Sequence, residues 1–108
     1  MDLLSLDDQE RDILAVLAAQ LLLADNEVTS EELIGVFQLS ESVGQAGFYD
    51  AVMGGMSVPA EEALIRAKQV TKPSSRALIR DAIQELAEVD GLAQAEVSLL
   101  KRLDATWR

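Results

Sequence analysis

Residues 13–33 read ILAVLAAQLLLADNEVTSEEL. From Ile13 to Ala24 one polar side chain, Gln20, interrupts the apolar run. Leu and Ala are strong helix formers, so the run predicts a helix. A helix apolar around nearly its whole circumference normally sits at the centre of a domain, surrounded by others. The competing reading is an exposed face on which two copies associate. The helix is expected from about Asp7 to Ala24. Ser5 or Asp7 can cap it, and Asp7, Asp8 and Glu10 suit the positive end of its dipole. Asp25-Asn26-Glu27-Val28 then breaks the chain, and Thr29-Ser30-Glu31-Glu32 has the form of a capping box. The second helix places Leu33, Val36 and Phe37 on one face and is expected to fray near Ser40 to Gly44.

Outward from this hairpin the helical spacing continues. Phe48, Tyr49, Ala51, Val52 and Met53 predict a short helix among Gly44, Gly47, Gly54 and Gly55; the alternative is a mobile flap or partner groove using Met53 and Met56. Ser57-Val58-Pro59-Ala60-Glu61-Glu62 starts a helix with Ala60, Ala63, Leu64 and Ala67 on its apolar stripe. Lys72-Pro73 ends it. Ser74 or Ser75 is expected to cap the next helix, where Ile79, Ala82, Ile83, Leu86 and Ala87 recur at helical spacing. After a break at Asp90-Gly91, a last helix runs from about Gln94 to Trp107, with Val97, Leu100, Leu103 and Trp107 inward. Aromatics are scarce, so the core must be Leu, Ile, Val and Ala. No segment alternates long enough for a strand. The expectation is an all-α fold: a compact bundle of five to six helices, one domain over residues 1–108.

The two ends of the chain are alike. Ile13–Leu39 and Leu78–Leu103 each read as helix, acidic turn, helix, two pseudo-repeated hairpins with the middle helices between them. Each turn has an Asp followed by Asn or Gly, an apolar residue, then a Glu early in the next helix. With Asp25 counted as position 5 of a calcium-binding loop, Glu32 falls at the closing bidentate position, but Leu21 and Leu23 stand where such a loop has acids. The candidate metal ligands are Asp25, Glu27 and Glu32 in the first turn and Asp90 and Glu96 in the second, with Ca2+ or Mg2+ as the ion. The second turn is one residue shorter between its Asp and its Glu. The structural alternative is that Asp-Asn and Asp-Gly are turn dipeptides and that acids at helix starts complement the dipole.

Charge narrows the function. The chain has 108 residues, 9 basic and 19 acidic, for a net charge of −10. Duplex phosphate repels such a surface, so nucleic acid is not an expected partner. There is no Cys and no His. That removes disulfides, zinc sites of the usual kinds and the Ser–His and Cys–His nucleophile pairs. No nucleophile–base pair is left to defend, and an enzyme is not expected. Residues 1–62 hold 13 acids and one base, net −12; residues 63–108 hold 6 acids and 8 bases, net +2. Lys68, Lys72, Arg76 and Arg80 cluster about Pro73, either as a solvated face pairing with Asp81 and Glu85 or as a patch that docks on an acidic surface. The N-terminus carries acids where a signal peptide carries Lys or Arg, and the longest apolar stretch is too short to span a bilayer, so the expected compartment is the cytoplasm.

The paired pattern Ala24-Asp25-Asn26-Glu27-Val28-Thr29 with Glu32, and Asp90-Gly91-Leu92-Ala93 with Glu96, each between apolar helices, resembles the TerB family. This is the tellurite-resistance group, whose fold the N-terminal domain of the DjlA co-chaperones shares. The resemblance spans residues 10 to 104. It implies a compact all-α domain, acidic turns that bind divalent cations, and a stress-linked role near the inner face of the bacterial membrane. Asp25, Glu32, Asp90 and Glu96 are the matching positions, with Glu27 and Glu31 as neighbours. The chain departs from the pattern at Asn26, where the family has Gly, and at Ala93, where a Ser or Thr cap is expected. Without His there is no His-Pro-Asp tripeptide, and co-chaperone activity through that module is not expected.

Together these readings predict a non-enzymatic regulatory or scaffolding module of the bacterial stress-response type, binding Ca2+ or Mg2+ weakly at its acidic turns. Its partners would be proteins, at the inner membrane peripherally and through others. The alternative is a plain protein-interaction module, through its acidic face or an apolar groove near Phe48, Tyr49, Met53 and Met56. The apolar first helix and the charge asymmetry also predict a homodimer.

Overall fold

Asp7 opens the first long helix. The Glu10 amide donates to Asp7 Oδ1 at 2.8 Å, and the Asp7 amide donates to Glu10 Oε1 at 2.9 Å. This reciprocal cap satisfies two amides that the helix itself leaves unbonded. The computed structural model describes residues 3–24, 30–44, 47–88 and 94–107. In it a 3-10 turn over Leu3–Ser5 precedes six helices: α1 (Asp8–Leu23), α2 (Ser30–Val43), α3 (Phe48–Gly55), α4 (Ala60–Ala67), α5 (Pro73–Ala87) and α6 (Gln94–Thr106). The fold is all-α, with no strand among the described residues. Thr29, the expected cap of α2, lies outside them.

α1 is the centre. Every residue from Ile13 to Leu22 is buried, and α2, α3, α4 and α5 all pack against it. The apolar run is core, not an oligomer face, so the homodimer expectation loses the first of its two grounds. Gln20 has a place in this core because its side-chain amide donates to the Val58 carbonyl in the α3–α4 connection. One cluster of buried apolar side chains runs through all six helices, within a radius of gyration of 12.3 Å.

Where α3 crosses α1, side chains give way to backbone. A Cβ on Gly55 would stand 3.2 Å from both Ala19 Cβ and Val16 Cα. Phe48, Val52 and Gly55 are buried here, and Met53 and Met56 pack on the core. The segment is a packed helix, as its spacing predicted.

α2 runs to Val43 and stops at Gly44, within the stretch where its end was expected; the φ of +71° there is one that only glycine adopts at little cost. Two further expectations need correction. Phe37 does not share the inward face of Val36, since it is 55% exposed while Glu32, Gly35, Val36, Leu39 and Val43 are buried. Lys72, rather than Ser74 or Ser75, holds the cap position of α5, and Pro73 takes the first turn, where its missing N–H costs nothing. α4 ends at Ala67, ahead of Lys72-Pro73. The five expected inward residues of α5 are all buried. On α6 Leu100 and Leu103 are buried as expected, Leu99 joins them, and Val97 and Trp107 are half-buried.

The C-terminus is clasped to the α4–α5 connection. Trp107 Nε1 donates to the Ala67 carbonyl at 2.7 Å, and Arg76 donates to the carbonyls of Val70 at 2.6 Å and Trp107 at 3.4 Å. The Arg76 guanidinium also lies 6.0 Å from the Trp107 ring centre. Trp107→Phe keeps an aromatic ring and deletes the donor. Urea denaturation should report a loss of about 1 kcal/mol, the net worth of one hydrogen bond, because the Ala67 carbonyl still accepts from the Val70 amide at 3.1 Å. No described helix is long and apolar enough to cross a membrane.

Candidate functional site

Glu32 is the third residue of α2 and Glu96 the third residue of α6. Each is only 1% exposed. Carboxylates are rarely so buried unless paired, hydrogen-bonded or bound to a cation, and both have interactions within the protein. These are the two candidate ligands that the structure describes. Asp25, Glu27 and Asp90 lie outside the described residues. Among those described, no three Asp, Glu, His or Cys side chains gather where they could hold a metal ion.

The two glutamates belong to a wider correspondence. Six residues separate Leu23 from Ser30, and six separate Ala87 from Gln94. Glu32 and Glu96 thus share one register, 64 positions apart. The offset carries one buried line of each helix onto a buried line of its counterpart, although α1, buried on all sides, has further buried residues that fall on exposed positions of α5. Ala15, Ala18, Ala19 and Leu22 of α1 fall on Ile79, Ala82, Ile83 and Leu86 of α5. Gly35, Val36 and Leu39 of α2 fall on Leu99, Leu100 and Leu103 of α6. Counted along the sequence, the same offset pairs Asp90 with Asn26 rather than with Asp25. The shorter Asp-to-Glu spacing of the second turn reflects where its Asp stands, because the connections are equally long.

Two of the four residues of the basic cluster about Pro73, Arg76 and Arg80, are committed within the chain, while Lys68 and Lys72 are exposed. Arg80 forms a forked pair with Asp104, at 2.7 and 3.1 Å, and reaches Gln84 at 2.7 Å. The expected pairing with Asp81 and Glu85 is replaced by this bridge from α5 to α6. The hydrogen bond to Asp104 raises the Arg80 guanidinium above its already high pKa, against the opposing effect of partial burial. Its charge is permanent across the physiological range. Arg76 is spent on the carboxy-terminal clasp.

Among the described residues, two of the surface grooves lie between helices that are distant in the chain. One, of about 260 Å3, lies between α2 and α5 over Leu3, Leu39, Ala82 and Leu86, with Glu85 as its one carboxylate. The other, of about 300 Å3, lies between α1 and α6 and includes Gln20, Leu99, Ser98 and Arg102. Sequence reading had pointed to neither, because each needs two helices that are distant in the chain. No family model matches this chain, and no curated protein or solved structure matches it.

Proposed function

We propose that this chain is a non-enzymatic regulatory or scaffolding module of the bacterial stress-response type, acting in the cytoplasm, that takes Ca2+ or Mg2+ weakly at two acidic helix junctions. The observation that carries this reading is the pair Glu32 and Glu96, buried at equivalent positions beside the two acidic turns. Carboxylate oxygen is the donor that hard cations prefer. At the first junction Glu32 would act with Asp25 and Glu27, and at the second Glu96 with Asp90. Hard cations take six or more oxygens, so main-chain carbonyls and water would supply the remainder. Both glutamates already have interactions inside the protein; the ion tightens a junction that also closes without it. Neutralising charge there would change how the hairpins pack in a chain of net charge −10.

Titrating the metal-free protein with Ca2+ and Mg2+ while following amide NMR shifts tests this directly. Saturable shifts at residues 25–32 and 90–96, lost in Asp25→Asn and Asp90→Asn respectively, are the expected result. Diffuse shifts over the acidic half that sodium chloride reproduces would make the turns structural caps and leave the cation-free interaction module in their place.

A further inference from the structure

The exposed faces of α2 and α6 occupy equivalent places in the two hairpins, yet their chemistry differs. On α6 the exposed residues Ser98, Lys101 and Arg102 face water. At the corresponding positions of α2 stand Ile34, Phe37 and Gln38, also exposed, Ile34 by 56% and Phe37 by 55%. The fold thus accepts polar and charged side chains here, and its packing does not require the Ile and the Phe.

Phe37 is held in place all the same. Its ring stacks on Tyr49 of α3, with centroids 4.5 Å apart and planes 16° apart. An exposed aromatic side chain ordered before binding loses little rotamer freedom when a partner arrives, as an interface anchor should. The ridge is rimmed by acid. Glu31 and Glu41 lie on the exposed line of α2, one turn before Ile34 and one turn after Phe37, and Asp50 follows Tyr49. None of the three enters an ion pair among the described residues. No Lys or Arg occurs between Arg11 and Arg66, a stretch that holds nine Asp and Glu residues.

We propose that the Ile34–Phe37–Tyr49 ridge docks a basic amphipathic helix of a partner protein. The helix lays its apolar side on the ridge, and its flanking Lys and Arg meet Glu31, Glu41 and Asp50. An acidic or neutral helix would leave those three carboxylates unmatched. The ridge contains none of Asp25, Glu27, Glu32, Asp90 and Glu96, so docking stands or falls separately from cation binding.

The test uses a fluorescein-labelled helical Leu–Lys peptide of about four turns, with Leu on one face. Anisotropy is read in chelator, which removes any dependence on divalent cations. Three companions are run: the same composition scrambled around the helix, a Leu–Glu peptide, and the protein carrying Ile34→Ser with Phe37→Lys. Those two substitutions install the residues of the corresponding α6 positions, so the variant should still fold, melting below the parent only by the few degrees that the lost Phe37–Tyr49 stack accounts for. The amphipathic Leu–Lys peptide should bind saturably, and the double variant should bind it about tenfold or more weakly. Glu31→Gln with Glu41→Gln should weaken binding and flatten its dependence on salt. Equal binding of the scrambled peptide, or undiminished binding by the double variant, would overturn the proposal by reducing the attraction to net charge. A concentration-dependent mass of the protein alone, abolished by Phe37→Lys, would overturn it in favour of a second copy on the ridge.

Discussion

Replacing Gly55 with Leu is expected to destabilise the protein by about 3 kcal/mol, while Gly54→Ala, one residue earlier, should stabilise it by about 0.5 kcal/mol. The two glycines are neighbours on α3 with opposite surroundings. Nothing lies within 4 Å of a Cβ added to Gly54, so alanine there only improves helix propensity. At Gly55 the added atom meets Val16 Cα, and that backbone belongs to the most deeply buried helix of the molecule. α1 cannot shift without disturbing α2, α4 and α5, which pack on it as well. The larger side chain must push α3 away, opening its crossing with α1. For a domain of this size the loss corresponds to about 12 °C or more in melting temperature. Thermal denaturation followed by circular dichroism checks both substitutions. A Gly55→Leu protein that melts with the parent would mean the crossing is looser than 3.2 Å contacts imply.

The two phenylalanines should separate as sharply. Phe48→Ala is expected to cost about 3–5 kcal/mol, since it empties one of the largest fully buried side-chain positions at the start of α3. Phe37→Ala removes an exposed ring and one stacking contact, at a cost of about 1 kcal/mol. Urea denaturation of both variants measures the difference. Similar losses at the two sites would contradict the burial assigned to them.

Much of the fold was legible because its strongest signals are local. The run from Ile13 is apolar on every side, and a helix of that kind has nowhere to go but the centre. The inward residues of α5 recur at helical spacing, and all five are buried. Reading failed where tertiary neighbours decide. The inward line of α2 passes through Glu32, Gly35, Val36 and Leu39. A glutamate and a glycine disguised it, because neither is a residue that apolar patterning marks as inward. Leu33 and Phe37 therefore stood out instead, and Phe37 proved to be surface. At α5 a serine has the better intrinsic capping preference, yet Pro73 fixes the backbone one position ahead and leaves Lys72 at the cap.

The site was half legible. Glu32 and Glu96 were named from their turns, but burial of both was not foreseeable, since glutamate is rarely found inside. The register that the helices follow was hidden for a related reason. Aligning the turns on Asp25 and Asp90 follows the most conspicuous residue, whereas helix ends and buried positions align at an offset of 64. That offset also exposes the contrast between Ile34 and Phe37 on α2 and Ser98 and Lys101 on α6, which no reading of either helix alone could give.

The proposed cation sites at the two junctions are tested most directly by unfolding free energy. Chelated protein is compared in about 10 mM Ca2+ or Mg2+ and in sodium chloride of equal ionic strength, which controls for screening of the acidic chain. Weak sites with dissociation constants of about 0.1–1 mM should add about 1.4–2.7 kcal/mol per junction at that concentration. Glu32→Gln and Glu96→Gln should each abolish one share of the gain. Equal stability in divalent cation and in matched sodium chloride would contradict the account.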